Sequence, residues 1–193
     1  MPKLGMEPKR KAALIDAAIA EIAATRSLDV TVGRIAQRAG MSTALAHHYF
    51  GSKDRILIEA MRGLLRALRR EHLHRLARAE TPRARLSATI QACFAPDSFQ
   101  PGPVAAWLAF YVHAQSSDAA NRLLRLYQRR LRANLRHDLR PLTPDPLHLA
   151  DTIAALIDGH YLREARQDRR PDPAAVTRAI ETATDLLLQG PAR

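Results

Sequence analysis

The chain has 193 residues, enough to bury a sizeable core, and its 47% hydrophobic and 25% charged residues are typical of a globular protein rather than a disordered one. A formal net charge of +11 suggests an anionic partner, nucleic acid or membrane surface, although a basic composition without any such partner is the competing interpretation. A lone cysteine, Cys93, excludes an intrachain disulfide and a cysteine zinc cluster. No apolar run approaches the roughly 18 residues of a membrane span. We therefore expect a soluble, cytoplasmic protein with no membrane partner.

Apolar residues recur at intervals of three and four along the chain, and the period-two alternation of β-strands is missing. The stripes begin at Ile15 and Val32, and a much longer helix is predicted over about 52–80. A later stripe covers 124–139, and the last consists of Val176, Ile180, Ala183 and Leu187. Proline-containing connectors separate the later stripes, at residues 80–83, 96–103, 141–146 and 169–173. We therefore predict an all-α fold of about nine helices.

Helix length divides the predicted fold into two parts. Helices two and three are short and lie within residues 31–50, whereas the later helices are longer. This predicts an N-terminal three-helix unit over 1–55, joined by a long fourth helix to a larger C-terminal helical bundle over 56–193.

Residues 31–50 have the pattern of a compact helix-turn-helix motif. Thr31 and Ser42 can each cap a helix through a side-chain oxygen, and Gly40 permits the turn between the two helices. Two short helices joined by about four residues, the second polar on its outer side, are typical of a protein that reads the major groove of DNA, which is wide enough for one helix.

Side-chain chemistry suggests which residues of this unit contact DNA. The hydroxyls and free amides at the start of the third helix suit a phosphate, and Thr43 and Ala44 are short enough to reach base edges. Histidines can donate to phosphates or bases, and lysines that begin the first and fourth helices can neutralise phosphates. The candidate DNA-contact residues are Lys9, Thr31, Ser42, Thr43, Ala44, His47, His48, Tyr49 and Lys53.

Two other interpretations of this stretch are disfavoured. His47 and His48 are neighbours that project about 100° apart on a helix, and no Cys, Asp or Glu lies within a turn of them, so we expect no metal site and no cofactor. No Ser-His-acid or paired-carboxylate arrangement is visible, so we do not expect an enzyme. Phe50 is expected to be a core residue, whereas Tyr49 fits core packing and DNA contact equally well.

The segment of residues 31–57, TVGRIAQRAGMSTALAHHYFGSKDRIL, resembles the DNA-binding signature of the TetR family of transcriptional repressors. The resemblance covers roughly residues 8–68, and it departs from the family at His47, where many members have a tyrosine. Segments spread over the whole chain, MPKLGM, STALAHHYF, AAWLAFYVHA and IAALIDGHYLR, further resemble the choline-responsive, BetI-like subgroup.

This resemblance implies a homodimeric repressor that binds a (pseudo)palindromic double-stranded operator and is released by a small-molecule effector. In the subgroup the effector is choline and the genes are those that convert choline to glycine betaine. The C-terminal bundle would then serve ligand binding and dimerisation, the latter through the last two helices, near 146–168 and 173–188. Gly159 lies in the first of these, where a missing side chain allows either close approach of a partner helix or room for a bulky neighbour in the same chain.

A candidate effector site follows from the aromatic residues of the C-terminal part. Choline is a quaternary ammonium ion, which aromatic faces hold best. Trp107 and Tyr111 share a helix face, Phe110 is adjacent, and Asp158 and Tyr161 are three residues apart on a later helix. These five residues are the candidate ligand contacts, although aromatic residues at helical spacing are also typical of a core, and Asp158 could pair with an arginine.

Two alternative functions remain open from the sequence. One is a TetR-type repressor that responds to a different, uncharged or lipophilic ligand. The other is a non-specific, architectural DNA-binding protein, which would bind every sequence alike with a steep dependence on salt.

Overall fold

A computed structural model describes residues 6–25, 27, 29–167 and 169–189, and every regular element in these ranges is an α-helix. The helices are α1 (Met6–Thr25), α2 (Val32–Arg38), α3 (Thr43–Phe50), α4 (Lys53–Leu76), α5 (Pro82–Cys93), α6 (Pro101–His113), α7 (Asp118–Leu139), α8 (Pro146–Ala165) and α9 (Pro173–Gln189). The predicted all-α fold of about nine helices is confirmed. None of the described helices is long and apolar enough to cross a membrane.

Two hydrophobic clusters lie along the chain and meet at α4. The first joins α1, α2 and α3 to the start of α4, where it ends at Leu57. The second begins at Met61 and is built from α4 to α9. Phe50, only 6% exposed, belongs to the first cluster, so its predicted core position is confirmed. The long helix α4 thus supplies side chains to both clusters, and the boundary at residue 55 stays a prediction.

The fourth helix ends earlier than its hydrophobic stripe predicts. It stops at Leu76 with Ala77 as its C-cap, rather than continuing to about residue 80. The reason lies in the next helix, because Thr81 precedes a proline and adopts an extended conformation, from which its side chain caps α5. The intervening residues therefore form turns instead of a further helical turn.

The last predicted stripe lies on α9, and only its first half is buried within the single chain. Val176 and Ile180 are buried, but Leu187 is 43% exposed. The next residue, Leu188, packs against the larger cluster instead, so at this end of α9 the inward-facing position is 188 and Leu187 faces outward.

Candidate functional site

The helix-turn-helix motif has the local geometry that its sequence predicts. Thr31 Oγ1 accepts a hydrogen bond from the Arg34 amide at 3.2 Å, and Ser42 Oγ accepts one from the Leu45 amide at 3.2 Å. Gly40 has a φ of +67°, a conformation that is strained for other residues. Both predicted caps and the predicted glycine turn are therefore confirmed.

The third helix presents a polar outer face and a buried inner face. Ala46 is fully buried and Phe50 nearly so, and both pack in the first cluster. The exposed residues of α3 and its cap are Ser42, Thr43, Ala44, His47 and His48. An exposed helix held by a short partner helix is the shape needed to enter a groove.

A buried carboxylate that sequence reasoning missed fixes α2 against α1. Glu21 is 3% exposed, accepts a hydrogen bond from Arg38 Nε at 2.7 Å and forms an ion pair with Arg34, whose Nη2 lies 2.6 Å from Oε1. The hydrogen bond from Arg38 is the largest cause of a lowered pKa at this carboxyl group, and the charge of Arg34 adds to it. The sequence signal that could have revealed this buried carboxylate is a glutamate beside Ile22, on the apolar stripe of α1.

The basic start of α1 lies beside the end of α3. Arg10 Nη1 donates to the Tyr49 hydroxyl at 3.4 Å, and Lys11 Nζ lies 5.9 Å from the centre of the Tyr49 ring. Tyr49 is half-buried and packs against the first cluster in a basic environment, while its contact with DNA stays a prediction. Lys9 is exposed on the same first turns of α1.

The remaining predicted DNA contacts flank α3. His47 Nδ1 lies 3.1 Å from the Gly51 carbonyl, and since a carbonyl can only accept, Nδ1 carries the proton and donates. Lys53 is the first residue of α4, directly after Ser52, whose side chain accepts from the Arg55 amide.

Four aromatic side chains come together at the centre of the larger cluster. The ring of Trp107 lies 6.4 Å from that of Tyr111, 5.8 Å from Tyr161 and 4.8 Å from Tyr127, centre to centre. Three of them are predicted ligand residues, and we call these four rings the aromatic cluster. Tyr127 of α7 was missed as a site residue because it lies on an apolar stripe and was interpreted as core.

Asp158 adds a carboxylate to the aromatic cluster. Its Oδ1 accepts from the Tyr111 hydroxyl at 2.8 Å, and burial raises the pKa of this carboxyl group. Burial also raises the pKa of the Tyr111 hydroxyl, so this group stays protonated and donates. No basic side chain in the described ranges forms an ion pair with Asp158. The charge of Arg132 acts to lower the pKa of Asp158, but its guanidinium pairs with Asp151 at 3.0 Å.

One predicted ligand residue lies apart from the others. Phe110 lines a narrow gap between α1, α4 and α6, next to Ile22 and Leu57. It is three residues from Trp107, which places it about 60° around the axis of α6 from that ring. Tyr161 lies in the aromatic cluster. Its hydroxyl donates to the Cys93 carbonyl, and its ring stacks on that of Phe94 with 5.4 Å between the ring centres.

The helix that carries two of the clustered rings also reaches the DNA-binding unit. His113, in the last turn of α6, donates from Nε2 to Asp54 Oδ1 at 2.7 Å. Asp54 follows Lys53 in the first turn of α4. A displacement of α6 would therefore reach the start of α4, adjacent to the third helix.

The exposed α3 held on a three-helix unit, followed by a larger helical bundle, defines a helix-turn-helix transcriptional regulator. The family model described as "Bacterial regulatory proteins, tetR family" matches residues 14–60, and the one described as "BetI-type transcriptional repressor, C-terminal" matches residues 82–189. The chain belongs to the TetR family and has a BetI-type C-terminal part. It is a DNA-binding transcriptional repressor and not an enzyme, as predicted.

Curated relatives match almost the whole chain. It is 49% identical to the HTH-type transcriptional regulator BetI of Agrobacterium fabrum, with 98% of this chain and 93% of that protein covered. It is 47% identical to a protein of the same description from Brucella melitensis, with 98% and 97% covered.

Solved structures share the fold. A transcriptional regulator from Pseudomonas aeruginosa PAO1 superposes with a TM-score of 0.79 at 28% identity, over 95% of this chain and 92% of that one. A transcriptional regulator from Saccharomonospora viridis in complex with choline has a TM-score of 0.74 at 19% identity, over 95% and 97% of the two chains. The second likeness concerns the fold alone.

Proposed function

We propose that this repressor binds a palindromic operator as a homodimer and is released by choline, so that genes for the conversion of choline to glycine betaine are expressed when choline is present. The observation that carries the effector assignment is the half-buried carboxylate of Asp158, which lies beside aromatic rings and forms no ion pair with a basic side chain of the described residues. The relatives named BetI support the same assignment, and a regulator of the same fold from Saccharomonospora viridis has been solved in complex with choline.

The DNA contacts that we propose follow from the exposed face of α3. Thr43 and Ala44 are exposed at its start and are short, so they can approach base edges. Ser42 and the free amides of the first turn suit a phosphate oxygen. The remaining proposed phosphate contacts are Lys9, Thr31, His47, His48, Tyr49 and Lys53.

A pair of substitutions separates base reading from phosphate binding. Lys53→Ala should weaken binding to all DNA sequences alike and lower the slope of log Kd against log salt concentration by about 1, the value expected when one phosphate is no longer neutralised. Thr43→Ala should instead reduce discrimination at one operator position by about 1 kcal/mol and leave the salt slope unchanged. Both are measured by fluorescence anisotropy on the operator and on its single-base variants. Equal losses on every sequence for Thr43→Ala would contradict its role as a base contact.

The dimer that we propose forms through the outer faces of α8 and α9. Four leucines on these helices are largely exposed in the single chain: Leu147, Leu162, Leu186 and Leu187. Gly159 lies on the exposed side of α8, and a Cβ added there would meet no atom of the same chain within 4 Å. A bulky neighbour in the same chain therefore does not explain this glycine, and we attribute it to close approach of a partner helix.

The effector site that we propose is the aromatic cluster with Asp158. A quaternary ammonium ion has no N–H to donate, so it is held by the negative faces of aromatic rings and by a nearby carboxylate. Trp107, Tyr111, Tyr127 and Tyr161 supply the rings. In the absence of a cation these rings pack against one another, so choline would enter by separating them. Phe110 contributes through packing behind α6 and not through contact with the cation.

Release from the operator would follow from a shift between two populations of the dimer. A ligand lowers operator affinity only by its differential affinity for the two states. Choline between the α6 rings and those of Tyr127 on α7 and Tyr161 on α8 would displace α6. The hydrogen bond from His113 to Asp54 would carry that displacement to the start of α4. The spacing of the two α3 helices across the dimer would then no longer match the operator.

Titration of choline into the operator complex tests the effector assignment. We expect millimolar choline to weaken operator binding at least tenfold, because coupling energies between sites are commonly about 1–3 kcal/mol. Tetramethylammonium tests whether the bare cation suffices. Glycine betaine, which has a carboxylate instead of the hydroxyl group, tests whether the hydroxyl is needed. Unchanged operator affinity at millimolar choline would eliminate choline as the effector.

A further inference from the structure

A cleft lies where the DNA-binding unit meets the C-terminal bundle, between the end of α1, α6 and the loop from α8 to α9. Its volume is about 590 Å³, within the roughly 300–1,000 Å³ of common small-molecule sites. Ala23, Ser27 and Asp29 line it from the DNA-binding unit, and none of the four rings of the aromatic cluster is among the described residues of its wall. The cleft is therefore separate from the proposed effector site.

One face of α6 forms the apolar wall of the cleft. Its members have the spacing of a single helix face: Pro101, Val104, Ala105, Leu108 and Val112. Val112 is 56% exposed, so an aliphatic occupant would cover apolar surface that now faces solvent. This face of α6 carries no charged side chain and therefore suits the apolar part of a ligand.

A buried carboxylate in the wall of the cleft has one oxygen without a hydrogen-bond donor. Glu164, near the end of α8, is 4% exposed, and its Oε1 accepts from Gln167 Nε2 and from Arg169 Nη2, each at 3.2 Å. Its Oε2 is buried and accepts no hydrogen bond from any residue that the structure describes. A buried acceptor of this kind is costly unless a molecule in the cleft donates to it. Because a carboxylate oxygen can only accept, the matching group on a ligand is an N–H or O–H donor.

The charged side chains that line the cleft balance one another. Two are carboxylates, Asp29 and Glu164, and two are guanidinium groups, Arg169 and Arg170. Arg169 is held by Glu164, whereas Arg170 is exposed and its side chain forms no ion pair within the described ranges. The cleft thus offers an acceptor for a cationic donor and a guanidinium for an anion, with no net charge. This combination favours a ligand that carries one charge of each sign.

We propose that this cleft binds a small zwitterion with a primary ammonium group, a carboxylate and an aliphatic side chain, which is the chemistry of an apolar amino acid. Glu164 Oε2 accepts from the ammonium group, and Arg170 donates to the carboxylate through charge-assisted hydrogen bonds. The apolar face of α6 takes the aliphatic side chain. A quaternary ammonium ion has no N–H to donate to Oε2, so the cleft is chemically distinct from the aromatic cluster.

The test measures binding of L-leucine to the full-length protein by isothermal titration calorimetry. Two compounds of similar shape each lack one of the charges: 4-methylpentanoate has no ammonium group, and 3-methylbutylamine has no carboxylate. We expect one L-leucine per chain, bound at least tenfold more tightly than either compound, because each of them leaves a charged group of the cleft unpaired. All titrations are run in excess choline, so that the amine does not enter the aromatic cluster.

Substitutions at the polar side of the cleft test where L-leucine binds. Arg170→Gln should weaken its binding at least tenfold, whereas Arg166→Gln, which changes an exposed arginine of the same loop outside the cleft, should stay within about twofold. Glu164→Gln keeps the shape of the side chain and removes its charge, and it should also weaken L-leucine at least tenfold.

Three outcomes would overturn the proposal. These are the absence of saturable L-leucine binding at millimolar concentration, an affinity for either truncated compound equal to that for L-leucine, and equal weakening by Arg170→Gln and Arg166→Gln. The comparison of the three compounds uses the unmodified protein and so does not depend on how any variant folds. Binding of L-leucine is read directly and not through the operator, so its failure is distinct from a failure of choline as the effector.

Discussion

Replacement of Leu186 by glutamate should convert the repressor to a monomer and lower its operator affinity by about 100-fold or more. Leu186 is 62% exposed in the single chain and lies on the outer face of α9. A glutamate there would bring two charges into an apolar interface across the twofold axis, and each would be desolvated without a partner. Loss of the dimer removes the linkage between the two half-site contacts, and such linkage commonly raises affinity by a factor of about 10²–10⁴.

Leu73→Glu is the matched control for this prediction. Leu73 is 53% exposed on α4, so the two substitutions remove similar apolar area and add the same charge. Sedimentation equilibrium measures the oligomeric state, circular dichroism checks that the helices persist, and anisotropy measures operator binding. A Leu186→Glu variant that stays dimeric and binds the operator as tightly as Leu73→Glu would show that dimerisation uses another surface.

Asp158→Asn should weaken choline binding about 30-fold, or about 2 kcal/mol, with little change in the stability of the fold. The asparagine oxygen can still accept from the Tyr111 hydroxyl, so the substitution removes the charge and keeps the hydrogen bond. Loss of one partner of a desolvated ion pair commonly costs about 2–5 kcal/mol, and the aromatic faces retain part of the binding energy. Calorimetric titration of choline gives the affinities directly.

The same site predicts a dependence of choline affinity on pH. Burial raises the pKa of Asp158 above that of an ordinary aspartate. Only the ionised carboxylate attracts the cation, so choline affinity is full above this raised pKa and falls as the pH drops through it. Asp151→Asn is the control, because it removes an exposed carboxylate from the same helix, two turns away. Equal effects of the two substitutions would contradict the assignment of Asp158 to the cation.

The parts of the molecule that could be predicted from sequence are those set by neighbouring residues. Ser42 and Thr31 cap helices because a hydroxyl three residues before a free amide is a local arrangement, and Gly40 turns because its own backbone allows a positive φ. Phe50 is buried because it falls on the inner side of a short amphipathic helix. Each of these follows from the order of residues within one or two helical turns.

The parts that could not be predicted depend on how distant helices meet. Tyr127 lies 20 residues from Trp107, and nothing in the spacing indicates that their rings touch. Phe110 was grouped with its sequence neighbours, whereas the rotation of α6 turns it away from them. Leu187 fits the stripe of α9 but is exposed in the single chain, while its neighbour Leu188 packs against the larger cluster. Periodicity indicates which face is apolar and leaves open what covers it.

The spacing of the operator half-sites tests most directly the claim that two copies of α3 read consecutive major grooves across a twofold axis. An operator selected from random sequences should contain inverted half-sites separated, centre to centre, by roughly one helical turn, or a multiple of it. Insertion of five base pairs between them rotates one half-site to the opposite side of the duplex and should lower affinity by about 100-fold, whereas insertion of ten should restore part of it. Affinity that is unchanged by the five-base-pair insertion would contradict the claim.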